Sequence, residues 1–137
     1  MPRRAITTRS SGFAPGPVEL PVPDGAEGAV WRYNGSGPRF PMHMHRELEL
    51  NLVRRGRAVC LLGDQRHELG RLSLFWLPAN VPHYLIDISK NLEMWIVVWS
   101  PHLCSNHAPT PLRNESVLNC PHRRLGESVA ERLDQLL

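Results

Sequence analysis

The sequence contains no apolar run long enough to cross a membrane as a helix, and it contains few cysteines. Its first ten residues carry three arginines, but no apolar segment follows them, which argues against a secretory signal. The three cysteines are odd in number and irregular in spacing, which is poor support for a disulfide framework. We therefore expect a cytoplasmic protein in a reducing compartment, with no membrane partner.

Lysine is almost absent, because Lys90 is the only one, and the net charge of +3 comes from arginine. The arginines are scattered along the chain rather than gathered into a stripe, which is weak support for nucleic-acid binding by this chain itself. With 42% hydrophobic and 21% charged residues, the composition is that of a globular protein. A length of 137 residues fits one domain with its own core.

Proline and glycine are concentrated at the start of the chain, and we interpret residues 1–28 as a flexible, extended arm. Beyond it, short apolar and β-branched segments alternate with turn residues at a spacing of roughly ten residues. This spacing indicates an antiparallel β-sandwich or barrel, which with its trailing loop occupies residues 29–122. We expect three tryptophans of the predicted strands to lie in the core, namely Trp76, Trp95 and Trp99.

The most informative stretch is residues 37–56, which begins and ends with glycine. Successive side chains of an extended strand alternate between its two faces. The stretch therefore places polar side chains on one face and leucines on the other. If the polar face points inward, a helix, another sheet or a partner subunit must cover the leucines. The polar residues are His43, His45, Glu47, Glu49 and Asn51, and the leucines are Leu48, Leu50 and Leu52.

The last fifteen residues predict an amphipathic helix over 123–137. Its apolar stripe consists of Leu125, Val129, Leu133 and Leu136. The sequence ends within this stripe, without a capping glycine or a following turn. We interpret the helix as the start of a longer dimerisation or linker element.

The spacing of residues 37–56 resembles the first conserved motif of the cupins. Gly37, His43, His45, Glu49 and Gly56 agree with that motif at every position. The resemblance implies a mostly β, cupin-like antiparallel barrel or sandwich, a double-stranded β-helix, with the predicted α-helix at its C-terminal end.

The second cupin motif is recognisable but eroded. Pro78 and His83 fit it, and Asp87 stands in its final place. Leu72 and Asn80 occupy the two positions where the motif has glycines. The change at Asn80 is mild, because asparagine also adopts the left-handed backbone conformation that the turn needs.

Over about residues 28–100, the sequence around the motifs resembles the N-terminal sensor and dimerisation domain of AraC-type bacterial transcription regulators. The segments concerned are His-x-His-x-Glu-Leu-Glu-Leu-Asn-Leu-Val, Leu-Leu-Gly, Leu-Phe-Trp-Leu-Pro and Val-Pro-His-Tyr. The resemblance implies a barrel that holds a small-molecule effector, an arm that closes over it, and helices that form a homodimer. It further implies that DNA is bound only through a C-terminal helix-turn-helix domain, which is absent from this sequence.

The cupin resemblance also implies one divalent ion inside the barrel, held by His43, His45, Glu49 and His83. Imidazole nitrogens and one carboxylate suit zinc, iron, manganese or nickel. The alternative is a metal-free polar pocket lined by the same four residues. We favour a ligand-sensing domain that is not an enzyme. A small metal-dependent cupin enzyme, such as a dioxygenase or isomerase, is the alternative.

A second group of candidate ligands lies near the C-terminus. It comprises His102, Cys104, His107, Cys120 and His122, residue types that zinc prefers. Their spacing matches no zinc-finger pattern, and the segment is rich in proline. We therefore expect an exposed polar loop rather than a metal site.

Overall fold

The computed structural model describes residues 17–37, 39–103 and 121–137. Eight strands and a C-terminal helix account for most of these residues, so the mostly β fold class is confirmed. The strands are β1 Gly28–Asn34, β2 Leu48–Arg55, β3 Ala58–Leu62, β4 Gln65–Leu69, β5 Ser73–Leu77, β6 His83–Ile88, β7 Glu93–Trp99 and β8 His122–Arg124, and the helix is α1 Glu127–Leu136.

The strands form two antiparallel sheets packed face to face. The larger sheet has the order β1-β7-β2-β5-β8 and the smaller sheet the order β4-β3-β6. The core lies between them, where Val53, Phe75 and Met94 of the larger sheet face Cys60 and Leu62 of the smaller one. The predicted cupin-like sandwich with a C-terminal helix is therefore confirmed.

Strand β2 shows the predicted alternation from Leu48 onward. Glu49 and Asn51 face the interior, whereas Leu48 and Leu52 lie on the outer face and are 6% and 1% exposed. Leu52 pairs with Trp95 on β7, so the two side chains share this outer face.

Helix α1 lies against this outer face of the larger sheet. The indole Nε1 of Trp95 donates a hydrogen bond of 2.7 Å to Oδ1 of Asp134, and Nε of Arg54 lies 3.1 Å from the same oxygen. Ala130, in the middle of the helix, is fully buried. The helix thus provides part of the expected cover for the leucines.

The predicted strand over residues 37–56 is wrong in its first half. His43 exchanges backbone hydrogen bonds with His83 of β6, in the smaller sheet. From Leu48 the chain pairs with β5 and β7 of the larger sheet. Residues 44–47 therefore cross from one sheet to the other and cannot continue a single strand. Glu47 consequently does not line the interior cavity, although it is buried.

The predicted C-terminal helix begins too early. Residues 122–124 form β8 against β5, and α1 starts at Glu127, so Leu125 precedes the helix. Val129 and Leu136 are 50% and 81% exposed, whereas Leu133 is half-buried. The apolar stripe therefore coincides only in part with the face that packs on the sheet.

The three tryptophans predicted to lie in the core are half-buried on the outer face of the larger sheet. Trp76 and Trp99 stack on each other with their ring centroids 5.9 Å apart. The guanidinium of Arg32 lies 4.6 Å from the ring centroid of Trp95. These rings cover the sheet from outside and do not enter the interior.

The described part of the N-terminal arm lies against the barrel. Pro17 forms a bridge with Met44, and the backbone nitrogen of Val18 donates to the Met44 carbonyl at 2.9 Å. Leu20 and Val22 pack against the core. Among the described residues, no helix has the length and apolar character needed to span a membrane.

Candidate functional site

A cavity of about 430 Å³ lies between the two sheets. Its walls are mostly apolar, and Trp31, Leu85, Met94 and Ile96 contribute to them. One part of the wall is polar and includes the four side chains His43, Glu49, Asn51 and His83. A volume of this size, apolar walls and a few polar groups are typical of small-molecule sites.

Three structural elements bring the predicted site residues together. Residues 43–47, which run from the bridge with β6 through the crossing segment, supply His43 and His45; strand β2 supplies Glu49, and the first residue of β6 supplies His83. The turn before β6 is tied to the crossing segment, because the backbone nitrogen of Asn80 donates to the His45 carbonyl at 2.7 Å. All four predicted residues therefore meet at one point.

The three histidines have the same local hydrogen-bond pattern. Nδ1 of His43 donates to the Pro41 carbonyl at 2.8 Å, and Nδ1 of His83 donates to the Val81 carbonyl at 2.9 Å. Nδ1 of His45 donates to the Glu47 carbonyl at 3.0 Å. Carbonyl oxygens only accept, so these contacts place a proton on each Nδ1 and direct each Nε2 toward the others.

His45 and Glu49 form a buried ion pair, with Nε2 of His45 3.0 Å from Oε2 of Glu49. Burial lowers the pKa of His45, but the hydrogen bond and charge of Glu49 outweigh it, so the pKa is raised above 6.5. Burial likewise raises the pKa of Glu49, but the hydrogen bond from His45 outweighs it, so the pKa is lowered below 4.5. Both shifts favour the charged pair.

His83 is in a different state. Burial lowers its pKa to about 4, although the Glu49 charge acts in the opposite direction. The ring is therefore neutral near pH 7. Its Nε2 lies 4.0 Å from Oε2 of Glu49, is buried, and has no hydrogen-bond partner among the described residues.

The residues present fit a divalent metal ion. One ligand atom each of His43, His45 and His83 lies within 4.8 Å of the other two, and Glu49 adds a carboxylate beside them. Histidines that bind metal through one ring nitrogen commonly donate the other to a carbonyl or carboxylate, as these three do. The unpaired Nε2 of His83 also has the character of a ligand atom.

Other residues that line the cavity were not among the four predicted site residues. Asn51 is 2% exposed and its Oδ1 has no hydrogen-bond partner in the described part of the chain. Trp31 and Tyr33 of β1 also line the cavity. The alternation along β2 indicated that Asn51 faces inward, but nothing in the sequence placed β1 next to it.

Cys60 lines the cavity as a free, buried cysteine. Burial raises the pKa of its thiol to about 12, with the Glu49 charge as a further cause. The thiol is therefore protonated at neutral pH and is a poor nucleophile.

The second group of candidate ligands is only partly described. His122 is on β8, where its Nε2 forms a hydrogen bond of 2.8 Å with Oγ of Ser73. His102 lies near the end of the described range 39–103, twenty residues before His122 in the sequence. Cys104, His107 and Cys120 lie outside the described residues. Among the described residues, the cluster suited to a metal is the one formed by His43, His45 and His83, of which His45 is buried behind the cavity wall and does not line it.

The comparisons with known proteins agree with this architecture. The family described as AraC-like ligand binding domain matches residues 27–103. No curated protein matches the chain.

Several solved structures are similar in fold. Oxalate decarboxylase from Bacillus subtilis at pH 4.6 is 20% identical over 56% of this chain and 22% of its own chain, with a TM-score of 0.46. The plu4264 protein from Photorhabdus luminescens is 20% identical over 64% of this chain and 76% of its own, with a TM-score of 0.45. The match thus spans about a fifth of the oxalate decarboxylase chain. At these identities the likeness concerns the fold alone.

Proposed function

Because this chain belongs to the family of AraC-like ligand-binding domains, we propose that it is the small-molecule-sensing and dimerisation domain of an AraC-type bacterial transcription regulator. The observation that carries the proposal is the 430 Å³ cavity, apolar along its walls and polar where Glu49, Asn51 and His83 meet. On this proposal the domain acts in the cytoplasm, performs no catalysis, and regulates DNA binding by a separate helix-turn-helix domain.

The N-terminal arm supports a route from cavity to signal. Val18 and Leu20 line the cavity, and the arm is attached to Met44, next to the two site histidines. An effector that contacts these side chains binds one arm position better than another, and this difference in affinity shifts the population of arm positions.

The screen that tests the sensing function uses two neighbouring residues of β6. Leu85 lines the cavity, whereas Ile86 is exposed. We expect some members of a library of small sugars, aromatic acids, alcohols and amines to raise the melting temperature of the wild type. Leu85→Trp, which fills the cavity, should abolish this stabilisation, and Ile86→Trp should retain it. If no compound stabilises the wild type, or if both variants respond alike, the proposal is wrong.

The proposed dimer interface consists of Leu125, which precedes α1, and of the apolar helix residues Val129, Leu133 and Leu136. The exposure of Val129 and Leu136 supports this, because exposed large apolar side chains on one helix favour association. Sedimentation of the wild type should give a dimer that Leu136→Glu weakens and the neighbouring substitution Gln135→Glu does not. A wild-type monomer at high concentration would contradict the proposal.

We also propose that the polar end of the cavity holds one divalent metal ion, of zinc, iron, manganese or nickel. His43, His45, Glu49 and His83 would hold it, and the convergence of the three imidazoles supports this. When bound, such an ion acts as a Lewis acid that polarises an oxygen ligand. The fit of a metal also favours the second candidate function, a cupin metalloenzyme.

Metal content decides between a metal-bound and a metal-free pocket. Mass spectrometry of protein purified without a histidine tag or chelator should find a stoichiometric ion that His45→Ala loses. The control variant His67→Ala replaces a histidine outside the site and should retain the ion. A metal-free wild type would contradict the metal proposal, and oxygen consumption or substrate turnover by the loaded protein would favour the enzyme.

A further inference from the structure

We infer that the effector carries a hydrogen-bond-donating head group on an apolar body, and that the side-chain oxygen of Asn51 accepts from this head. The inference rests on the proposed sensing function and specifies the chemical class of its ligand. It assigns Asn51 as a binding residue, separate from the four residues that fit a metal ion.

Asn51 is held in an orientation that leaves its oxygen free. It lies on the inner face of β2, between Phe75 and Ile96 on the flanking strands, and is 2% exposed. Its amide approaches the carboxylate of Glu49 closely enough to stabilise the charged form. A carboxylate only accepts hydrogen bonds, so the nitrogen of Asn51 faces Glu49 and Oδ1 faces away from it. That oxygen has no partner among the described residues.

Nε2 of His83 is a second buried atom near this part of the cavity. Nδ1 of the same ring donates to the Val81 carbonyl. The residue is 3% exposed, and Nε2 lacks a partner in the described part of the chain. Because His83 is also one of the residues that fit a metal ion, the inference rests on Asn51 and not on His83.

An acceptor head would be unfavourable at this position. In the metal-free pocket, a carboxylate or carbonyl would face Oδ1 of Asn51 and the carboxylate of Glu49, so Oδ1 would remain unpaired and the Glu49 carboxylate would repel the head group. Among the described lining residues, the arginine is Arg39, whose side chain is exposed, so water competes with any anion for it. A hydroxyl, amide or ammonium group satisfies the buried acceptors directly.

The walls define the remainder of the ligand. Trp31, Met94 and Ile96 of the larger sheet and Leu85 and Ile88 of the smaller sheet are apolar and line the cavity. Such walls bury an alkyl or aromatic body of modest size. The ligand class is therefore an aryl or alkyl amine or alcohol.

The experiment compares four probes that share a phenyl body and differ in the head: phenethylamine, phenethyl alcohol, phenylpropionate and ethylbenzene. Affinities are measured by ligand-observed NMR on the full chain in the presence of a chelator, which removes any ion to which a carboxylate could bind directly. We expect the amine or the alcohol to bind roughly tenfold more tightly than phenylpropionate, the scale of one buried hydrogen bond. Comparison of the affinities of phenethylamine and phenethyl alcohol shows which hydrogen-bond donor is preferred.

One variant tests the role of Asn51. Asn51→Leu should remove the preference for a donor head while ethylbenzene binds at least as well as it does to the wild type. Wild-type preference for phenylpropionate, or an unchanged ranking in folded Asn51→Leu, would overturn the inference and leave the sensing function standing. Failure of all four probes together with failure of the library screen would overturn both.

Discussion

Nε2 of His45 lies 3.0 Å from Oε2 of Glu49, and the two residues are 1% and 7% exposed. This contact joins the segment that crosses between the sheets to the inner face of β2. It also fixes the Glu49 carboxylate against which Asn51 is oriented. The polar end of the cavity therefore depends on one buried pair.

The first prediction concerns the pH dependence of this pair in chelator-treated protein. The pKa of Glu49 is lowered from 4.5, so its contribution to stability is present above pH 4.5 and is lost as the pH falls through the lowered value. The pKa of His45 is raised from 6.5, so its contribution is complete below pH 6.5 and is lost as the pH rises through the raised value. The pair therefore stabilises the fold most between these two pH values.

Glu49→Gln should lower the free energy of unfolding by about 2 kcal/mol in that pH window and by less at higher pH. Denaturant unfolding at several pH values measures the difference. Glu68→Gln removes the exposed pair with Arg66 and should cost less than about 1 kcal/mol at every pH. A Glu49→Gln effect as small as that of the control would show that the buried pair is not a determinant of stability.

The second prediction concerns the turn before His83. Asn80 is exposed and has φ +60°, at one of the two positions where the cupin motif has glycine. Asn80→Gly should be neutral or slightly stabilising, and Asn80→Ala should cost about 1 kcal/mol, because alanine tolerates the left-handed region less well. Ala79→Gly in the same turn should destabilise slightly. Thermal unfolding measures all three, and equal effects of Asn80→Gly and Asn80→Ala would refute the argument.

The third prediction separates backbone strain from steric clash at glycines. Gly56 has φ +74°, and an added Cβ would lie 2.7 Å from the backbone nitrogen of Leu92. Gly63 has φ +60° but open space around it, and Gly70 has open space without a positive φ. Substitution by alanine should lower the free energy of unfolding by about 3 kcal/mol at Gly56 and by about 1 kcal/mol at Gly63. At Gly70 it should change this free energy by less than about 0.5 kcal/mol. Chemical denaturation should reproduce this order, and a reversed order of Gly56 and Gly63 would be inconsistent with it.

The fourth prediction concerns the attachment of α1. Asp134 accepts a hydrogen bond from Trp95 and lies beside Arg54, both on the outer face of the larger sheet. Asp134→Ala should accelerate amide hydrogen exchange in residues 127–136 by roughly tenfold, because hydrogen bonds to charged groups contribute about 1.5–3 kcal/mol. Glu131→Ala, on an exposed residue of the same helix, is the matched control. Unchanged exchange in Asp134→Ala would mean that other contacts hold the helix.

The sequence predicted most of the strands, because hydrophobic alternation and turn residues mark them well. The predicted antiparallel strands are present, and Glu49 and Asn51 share one face of β2, as predicted, with that face toward the interior. The glycine positions of the second cupin motif were also informative, because both Leu72 and Asn80 adopt a positive φ, of 70° and 60°. Backbone conformation is thus retained where the glycine itself is not.

The sequence could not predict contacts that depend on how elements pack. The two-residue spacing of His43, His45, Glu47 and Glu49 continues through the crossing, so it does not reveal that the chain changes sheets between His43 and Leu48. The periodicity of α1 shows which residues are apolar but not how the helix is rotated on the sheet. That rotation is associated with ion pairs of Glu127 with Arg71 and of Asp134 with Arg54, which leave Val129 exposed.

The most direct test of the sensing account is the methyl NMR signal of Met94, which lines the cavity and is 3% exposed. Methionine methyl groups are labelled with carbon-13, and Met94→Leu assigns the signal. Titration with a compound that raises the melting temperature should shift the Met94 signal in a saturable way, with the affinity found in the melting experiments. A compound that stabilises the protein without moving this signal would contradict the assignment of the cavity as the effector site.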